Sequence, residues 1–112
     1  MDGIRAIIVE GKTDREQLQK VLAEPVLFVC TYGTYSEEKA LQLAERLAEA
    51  DEIYIFTDED ESGRKLRAQL QEEFPEASHL RTQSIYGQVA HTPLEVLAEI
   101  LVRADFQVRG EK

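Results

Sequence analysis

The residues best suited to chemistry are carboxylates at two places. Glu10 follows the apolar run Ile7-Ile8-Val9, and Asp58 and Asp60 follow the run Ile53-Tyr54-Ile55-Phe56. Both runs read as buried strands, so both acidic turns stand at the C-terminal end of a strand. In an open parallel sheet that edge is where ligands bind. Alternate residues of an extended turn point the same way, so Asp58 and Asp60 can share one ion, and Glu10 can join them from the neighbouring strand. Three carboxylates gathered without a counterion repel one another, and one takes up a proton. A hard divalent cation relieves that repulsion: Mg²⁺, with Mn²⁺ as a substitute, binds through carboxylates and retained waters. Such an ion can polarise a phosphoryl oxygen, activate water or steady a leaving oxygen. An Asp-x-Asp alone has little specificity in so acidic a chain, since acidic loops are ordinarily just solvated. The weight comes from the placement of both turns after apolar strands, each with a glycine.

The elements that position these residues alternate throughout the chain. A strand over 4–9 leads to a helix opened by the T-x-x-E box Thr13-Asp14-Arg15-Glu16, with Leu18, Val21 and Leu22 on its apolar side and Pro25 stopping it. A strand over 26–30 is followed by a helix that Ser36 caps, with Ala40, Leu41, Ala44, Leu47 and Ala48 facing the sheet. A third strand covers 53–57, and a third helix runs from Ser62 to Phe74 with Leu66, Leu70 and Phe74 spaced by four. A more polar fourth strand is expected over 79–85. Thr92-Pro93-Leu94-Glu95 then reads as a second capping box with proline at the first helical position. The last helix carries Leu94, Leu97, Ile100 and Leu101, and Phe106 and Val108 suggest a short final strand. Four such units predict an α/β, Rossmann-like fold: one domain over 1–112, with a mostly parallel four-stranded sheet in the order 2-1-3-4 and helices on both faces. The switch point then falls between the strands that carry Glu10 and Asp58.

Composition narrows the class. With 112 residues, 43% apolar and 31% charged, the chain is long enough for one real core. No apolar run approaches the ~20 residues needed to span a bilayer, and the N-terminus lacks a basic-then-apolar signal, so the expected location is cytoplasmic, with no membrane partner. The single cysteine, Cys30, lies in the apolar run 26–30 and reads as a structural thiol in a reducing compartment. The net charge of −9 is concentrated: residues 36–61 hold ten acids and two bases, whereas residues 62–112 hold seven of each. A chain of this charge lacks the broad basic face of an autonomous nucleic-acid binder. A nucleic-acid substrate would have to be gripped locally, or with the help of a protein partner.

Val9-Glu10-Gly11-Lys12-Thr13-Asp14 and Phe56-Thr57-Asp58-Glu59-Asp60-Glu61-Ser62-Gly63 resemble the two signature motifs of the Toprim domain, the catalytic module of topoisomerases, bacterial primases, OLD-type nucleases and recombination proteins. Tyr86-Gly87-Gln88-Val89-Ala90-His91-Thr92-Pro93 is similar to the corresponding segment of the bacterial ribonuclease that matures 5S ribosomal RNA, and Thr31-Tyr32-Gly33-Thr34 resembles the turn after strand 2 in that group. The resemblance implies a small stand-alone Toprim protein. Glu10 would be general acid or base, or a metal ligand, and Asp58 and Asp60 would hold Mg²⁺. Gly11 would let backbone approach a phosphate, Gly33 would lie in a substrate-facing turn, and Gly63 would allow the tight turn into the third helix. Topoisomerases and primases usually carry a Glu just after the second motif's glycine. Arg64 stands there in this sequence, so hydrolysis is favoured over religation or polymerisation unless Glu59 or Glu61 takes that part. The implied function is Mg²⁺-dependent phosphotransfer or hydrolysis on nucleic acid, with RNA ahead of DNA, in the manner of rRNA processing.

Other residues carry two readings. Lys12 and the group Arg64, Lys65 and Arg67 are either phosphate contacts or a solvated face. His91 is either a substrate contact or a packing residue beside a helix start. Tyr32, Tyr35 and Tyr86 are either base-stacking groups or rim residues of the core. A different class, a non-catalytic Toprim module that binds a metal or nucleotide and acts through a partner, fits the acidic surface. A phosphoacceptor receiver and a phosphatase with a nucleophilic Asp are disfavoured by position, because their acidic pairs follow strand 1.

Overall fold

Apolar runs of four or five residues form four strands: β1 Arg5–Val9, β2 Leu27–Cys30, β3 Glu52–Phe56 and β4 Ser78–Leu80. The computed structural model describes residues 3–33 and 35–110; Thr34, from the turn after β2, lies outside the described residues. The strands pair in parallel in the order β2-β1-β3-β4, as expected. The helices are α1 Lys12–Val21, α2 Glu37–Leu47, α3 Glu61–Glu73 and α4 Leu94–Arg103, with a short 3₁₀ turn at Val89–His91 before α4.

Alternation along the strands divides the core in two. Ile7, Val9, Phe28, Cys30, Tyr54 and Phe56 face one layer, where Leu18 and Val21 of α1 and Leu97 and Leu101 of α4 cover them. Ala6, Ile8, Val29 and Ile55 face the other, against Leu43 and Leu47 of α2 and Leu66 and Leu70 of α3. Burial on both faces is why β1 reads as a nearly continuous apolar run. Among the described residues no helix is long and apolar enough to cross a membrane.

Local chemistry moved several boundaries. α1 starts with Gly11 at its N-cap, because Asp14 in its first turn accepts the Gly11 amide hydrogen at 3.0 Å; Thr13 lies inside the helix. Asp60, not Ser62, opens α3. Ser36 caps α2 as expected, accepting from Lys39 N at 3.1 Å, but α2 buries Leu43 and leaves Leu41 70% exposed. β4 is only three residues long, since the chain turns back where Tyr86 N donates to Gln83 O. Thr92 does not cap α4: its hydroxyl pairs with Thr82 at 2.6 Å and donates to Gln88 O. In place of a final strand, Val108 makes an isolated antiparallel bridge with Leu22. Arg5 secures that C-terminal segment by bonding Glu24 and the carbonyls of Ala104 and Asp105 while lying 3.9 Å over the Phe106 ring.

Candidate active site

The two central strands end side by side, and one hydrogen bond crosses between their turns: Glu10 Oε2 accepts the amide hydrogen of Asp58 at 2.7 Å. Asp58 Oδ1 in turn accepts from Val89 N at 2.8 Å, and Asp60 Oδ1 accepts from Gly63 N at 2.7 Å as the N-cap of α3. Glu59, between the two aspartates, goes the other way. Its amide donates to Gly87 O, and its side chain, only 8% exposed, meets Arg64, Arg67 and Arg81. The alternation expected of an extended turn is therefore present. Glu59 is turned away from the acidic side and does not replace the carboxylate that Arg64 displaces.

Gly63 makes this turn possible. A Cβ there would lie 2.1 Å from the Asp58 carbonyl oxygen, so the first turn of α3 rests directly on the backbone of the acidic turn. Gly63 is buried and shapes the site from behind. Gly11 is different. Its φ of −152° suits any residue, and the nearest atom to a Cβ there would be Asp14 Oδ2 at 3.9 Å. The fold does not require glycine at position 11, and the space beside it is open to a ligand.

Crowding of like charge sets the electrostatics. Burial raises the Glu10 carboxyl above its ordinary range, and the charges of Asp58, Asp60 and Asp14 push the same way against the Asp58 amide bond. Asp58 is raised by burial and by Asp60, with its Val89 bond opposing. Asp14, itself buried, is lifted from 3.8 to about 6 by burial and by the charge of Asp58. Asp14 is the member to which sequence reasoning gives no role: it stands in the helix-start pattern and closes the first motif, and one turn after Glu10 it returns to the same edge.

This donor set suits a hard cation. Glu10, Asp58 and Asp60 each give one oxygen to a backbone amide, and Glu10 and Asp58 also stand within side-chain hydrogen-bond reach of each other. Among the described residues no three His, Cys, Asp or Glu side chains already stand closely enough to enclose an ion. The fit is therefore to a largely hydrated ion with one or two direct carboxylates, which is how Mg²⁺ is usually held. The carboxylates that would contribute are Glu10, Asp58 and Asp60, and the chemistry supplied would be charge neutralisation and polarisation of a phosphoryl oxygen.

The remaining candidates distribute around this edge. His91 is exposed, and its charge is felt by both Asp14 and Asp58. Lys12 is exposed on the first turn of α1, and Gly33 lies in the turn after β2 with φ 79°. That turn is tied to the site because Tyr32 N donates to Glu10 O. Tyr32 is exposed, whereas Tyr35 packs against the α2–α3 layer. Arg64 and Lys65 are exposed on α3. Arg67 is not part of their surface: it is 4% exposed and donates to Ile55 O, Leu80 O and His79 Nδ1, joining β3 to β4.

The Toprim domain profile matches residues 5–87, from the start of β1 to the loop beyond β4. The chain belongs to the Toprim family. This Toprim protein is 45% identical over 104 residues to the uncharacterized protein YusF of Bacillus subtilis strain 168, an alignment covering 93% of this chain and 70% of that one. A small TOPRIM domain protein from Bacillus stearothermophilus has the same fold, with a TM-score of 0.87 and 42% identity over 99% of this chain and 100% of that chain. Ribonuclease M5 of Mesoplasma florum is 39% identical over 61 residues, 54% of this chain but only 35% of that protein.

Proposed function

We propose that this Toprim protein is a cytoplasmic, Mg²⁺-dependent phosphodiesterase acting on nucleic acid, RNA ahead of DNA. The observation that carries the reading is the Glu10–Asp58 arrangement, in which a half-buried carboxyl is held by a backbone amide beside two further acids and raised by burial and then by their charge. A carboxyl raised above its ordinary range is suited to pass a proton to a leaving oxygen. In the hydrolysis, water adds at phosphorus and the P–O bond to the leaving oxygen breaks. Glu10 gives that oxygen its proton, and the proton lost by the water returns Glu10 to its starting form. Asp58 and Asp60 would hold the divalent ion. The similarity to ribonuclease M5 supports RNA as substrate and processing of structured rRNA as the class of reaction.

The test is cleavage of labelled single- and double-stranded RNA and DNA, including a folded 5S precursor, with Mg²⁺, Mn²⁺ or chelator, by native protein and Glu10→Gln. Metal-dependent cleavage that falls by about 10²-fold or more in Glu10→Gln, with unchanged circular dichroism, is the expected result. The second reading is a non-catalytic module that works through a protein partner. It is favoured by the short share of ribonuclease M5 that this chain matches. Metal binding without cleavage on any substrate would select it.

A further inference from the structure

We propose that Arg64 and Arg81, gathered by Glu59 on the α3–β4 side of the acidic turn, form a binding site for a backbone phosphate of the substrate. The inference rests on the nucleic-acid reading and deepens it by adding Arg81 and a place for a second phosphate. Three guanidinium groups meet the one Glu59 carboxylate: Arg64 Nε at 3.6 Å, Arg67 Nη2 at 3.5 Å and Arg81 Nη1 at 3.8 Å. Glu10 also acts on Arg67, so the positive charge left uncompensated by Glu59 lies on Arg64 and Arg81. His79 adds no negative charge, and burial together with Arg67 and Arg81 lowers its affinity for a proton.

The three arginines are not equivalent. Arg67 is consumed inside the fold by two carbonyls and His79. The side chains of Arg64 and Arg81 are 54% and 57% exposed. Their separations from Glu59 exceed good hydrogen-bond lengths, so the carboxylate steers them without saturating them. Arg64 spends one further donor on Glu59 O at 3.1 Å. Each guanidinium has five donors in a planar fork, which matches the oxygens of a phosphate. Exposed Lys65, next to Arg64 on α3, adds positive charge on the same helix.

The placement gives the site its meaning. Asp58 and Asp60 face one side of the turn and Glu59 the other. A nucleic-acid strand crossing the turn would set one phosphate at the acidic side and a neighbouring one against the arginines. This supplies a local grip in a chain whose net charge is −9.

The test follows the arginine Nε–H signals of the intact protein by NMR, in chelator, during titration with pyrophosphate and separately with short single-stranded RNA and DNA. The Arg64 and Arg81 signals are expected to move with pyrophosphate and with nucleic acid. Arg64→Gln and Arg81→Gln should each weaken binding roughly threefold to tenfold. Each should also flatten the salt dependence of RNA binding by about 0.7 in log–log slope. Arg81→Lys should recover part of the affinity, and Arg103→Gln, remote on α4, should change nothing. Pyrophosphate binding through both arginines without nucleic-acid binding would keep the phosphate site and overturn the nucleic-acid reading. RNA binding equal in all variants would do the reverse. No binding of pyrophosphate or nucleic acid would overturn the site.

Discussion

Asp58 Oδ1 accepts the amide hydrogen of Val89 at 2.8 Å, which fastens the acidic turn to the loop that carries His91. The same side chain therefore has a structural bond to the Val89 amide and faces Glu10 across the switch point. Asp58→Asn keeps an acceptor for Val89 while removing the charge. Mg²⁺ at ten times its Kd is expected to stabilise the native protein by about 1.4 kcal/mol. Asp58→Asn is expected to lose that gain while its metal-free melting temperature rises, because a like charge leaves the crowded cluster. An equal Mg²⁺ response in native and variant protein, read by calorimetry, would remove Asp58 from the metal-binding set.

Asp14 gives the fold a pH dependence of known sign. Its carboxyl is lifted from 3.8 to about 6, so the native state binds its proton more tightly than the unfolded chain does. Stability from this group is thus full below about pH 4, falls as pH rises to about 6, and stays low above that. Asp14→Asn is expected to stabilise the metal-free protein by about 1–3 kcal/mol at pH 7 and by almost nothing at pH 4. Urea melts at the two pH values measure the difference, and equal gains at both would refute the assignment.

Gly63 and Gly11 should respond oppositely to a methyl group. Gly63→Ala places Cβ against the Asp58 carbonyl, where backbone must shift, and is expected to cost about 3 kcal/mol. Gly11→Ala meets no close neighbour and should stay within about 0.5 kcal/mol of native stability. It should nevertheless lower turnover if a phosphate approaches that backbone. Paired denaturation and cleavage measurements separate the two positions; a stable Gly63→Ala protein would contradict the packing described.

Arg67 is a buried cation that holds β3, β4 and Glu59 together, and burial, then Arg81, lowers it to about 10. Arg67→Met is expected to cost about 3 kcal/mol, because two carbonyls lose their donor and Glu59 loses its buried partner. Adding Glu59→Gln should return about 1 kcal/mol of that loss. Strict additivity in the double-mutant cycle would show that the pair is not coupled.

The architecture was written in the sequence because parallel strands buried on both faces need long apolar runs, and those runs fix the strand order and the switch point. Glu10, Asp58 and Asp60 were legible for the same reason: each follows such a run, so the sheet must bring them to one edge. Tertiary structure alone decided which oxygens are already in use. Asp58 is held by Val89, thirty-one residues on, and Glu10 by the Asp58 amide across the switch point. It also decided the fate of the arginines. Arg64 and Arg67 share a helix and look alike in the chain, yet Arg67 lies beneath the β3–β4 edge while Arg64 stays at the surface. Helical spacing places a side chain on a face, but its burial depends on the strand, loop and carboxylate that distant segments bring beside it.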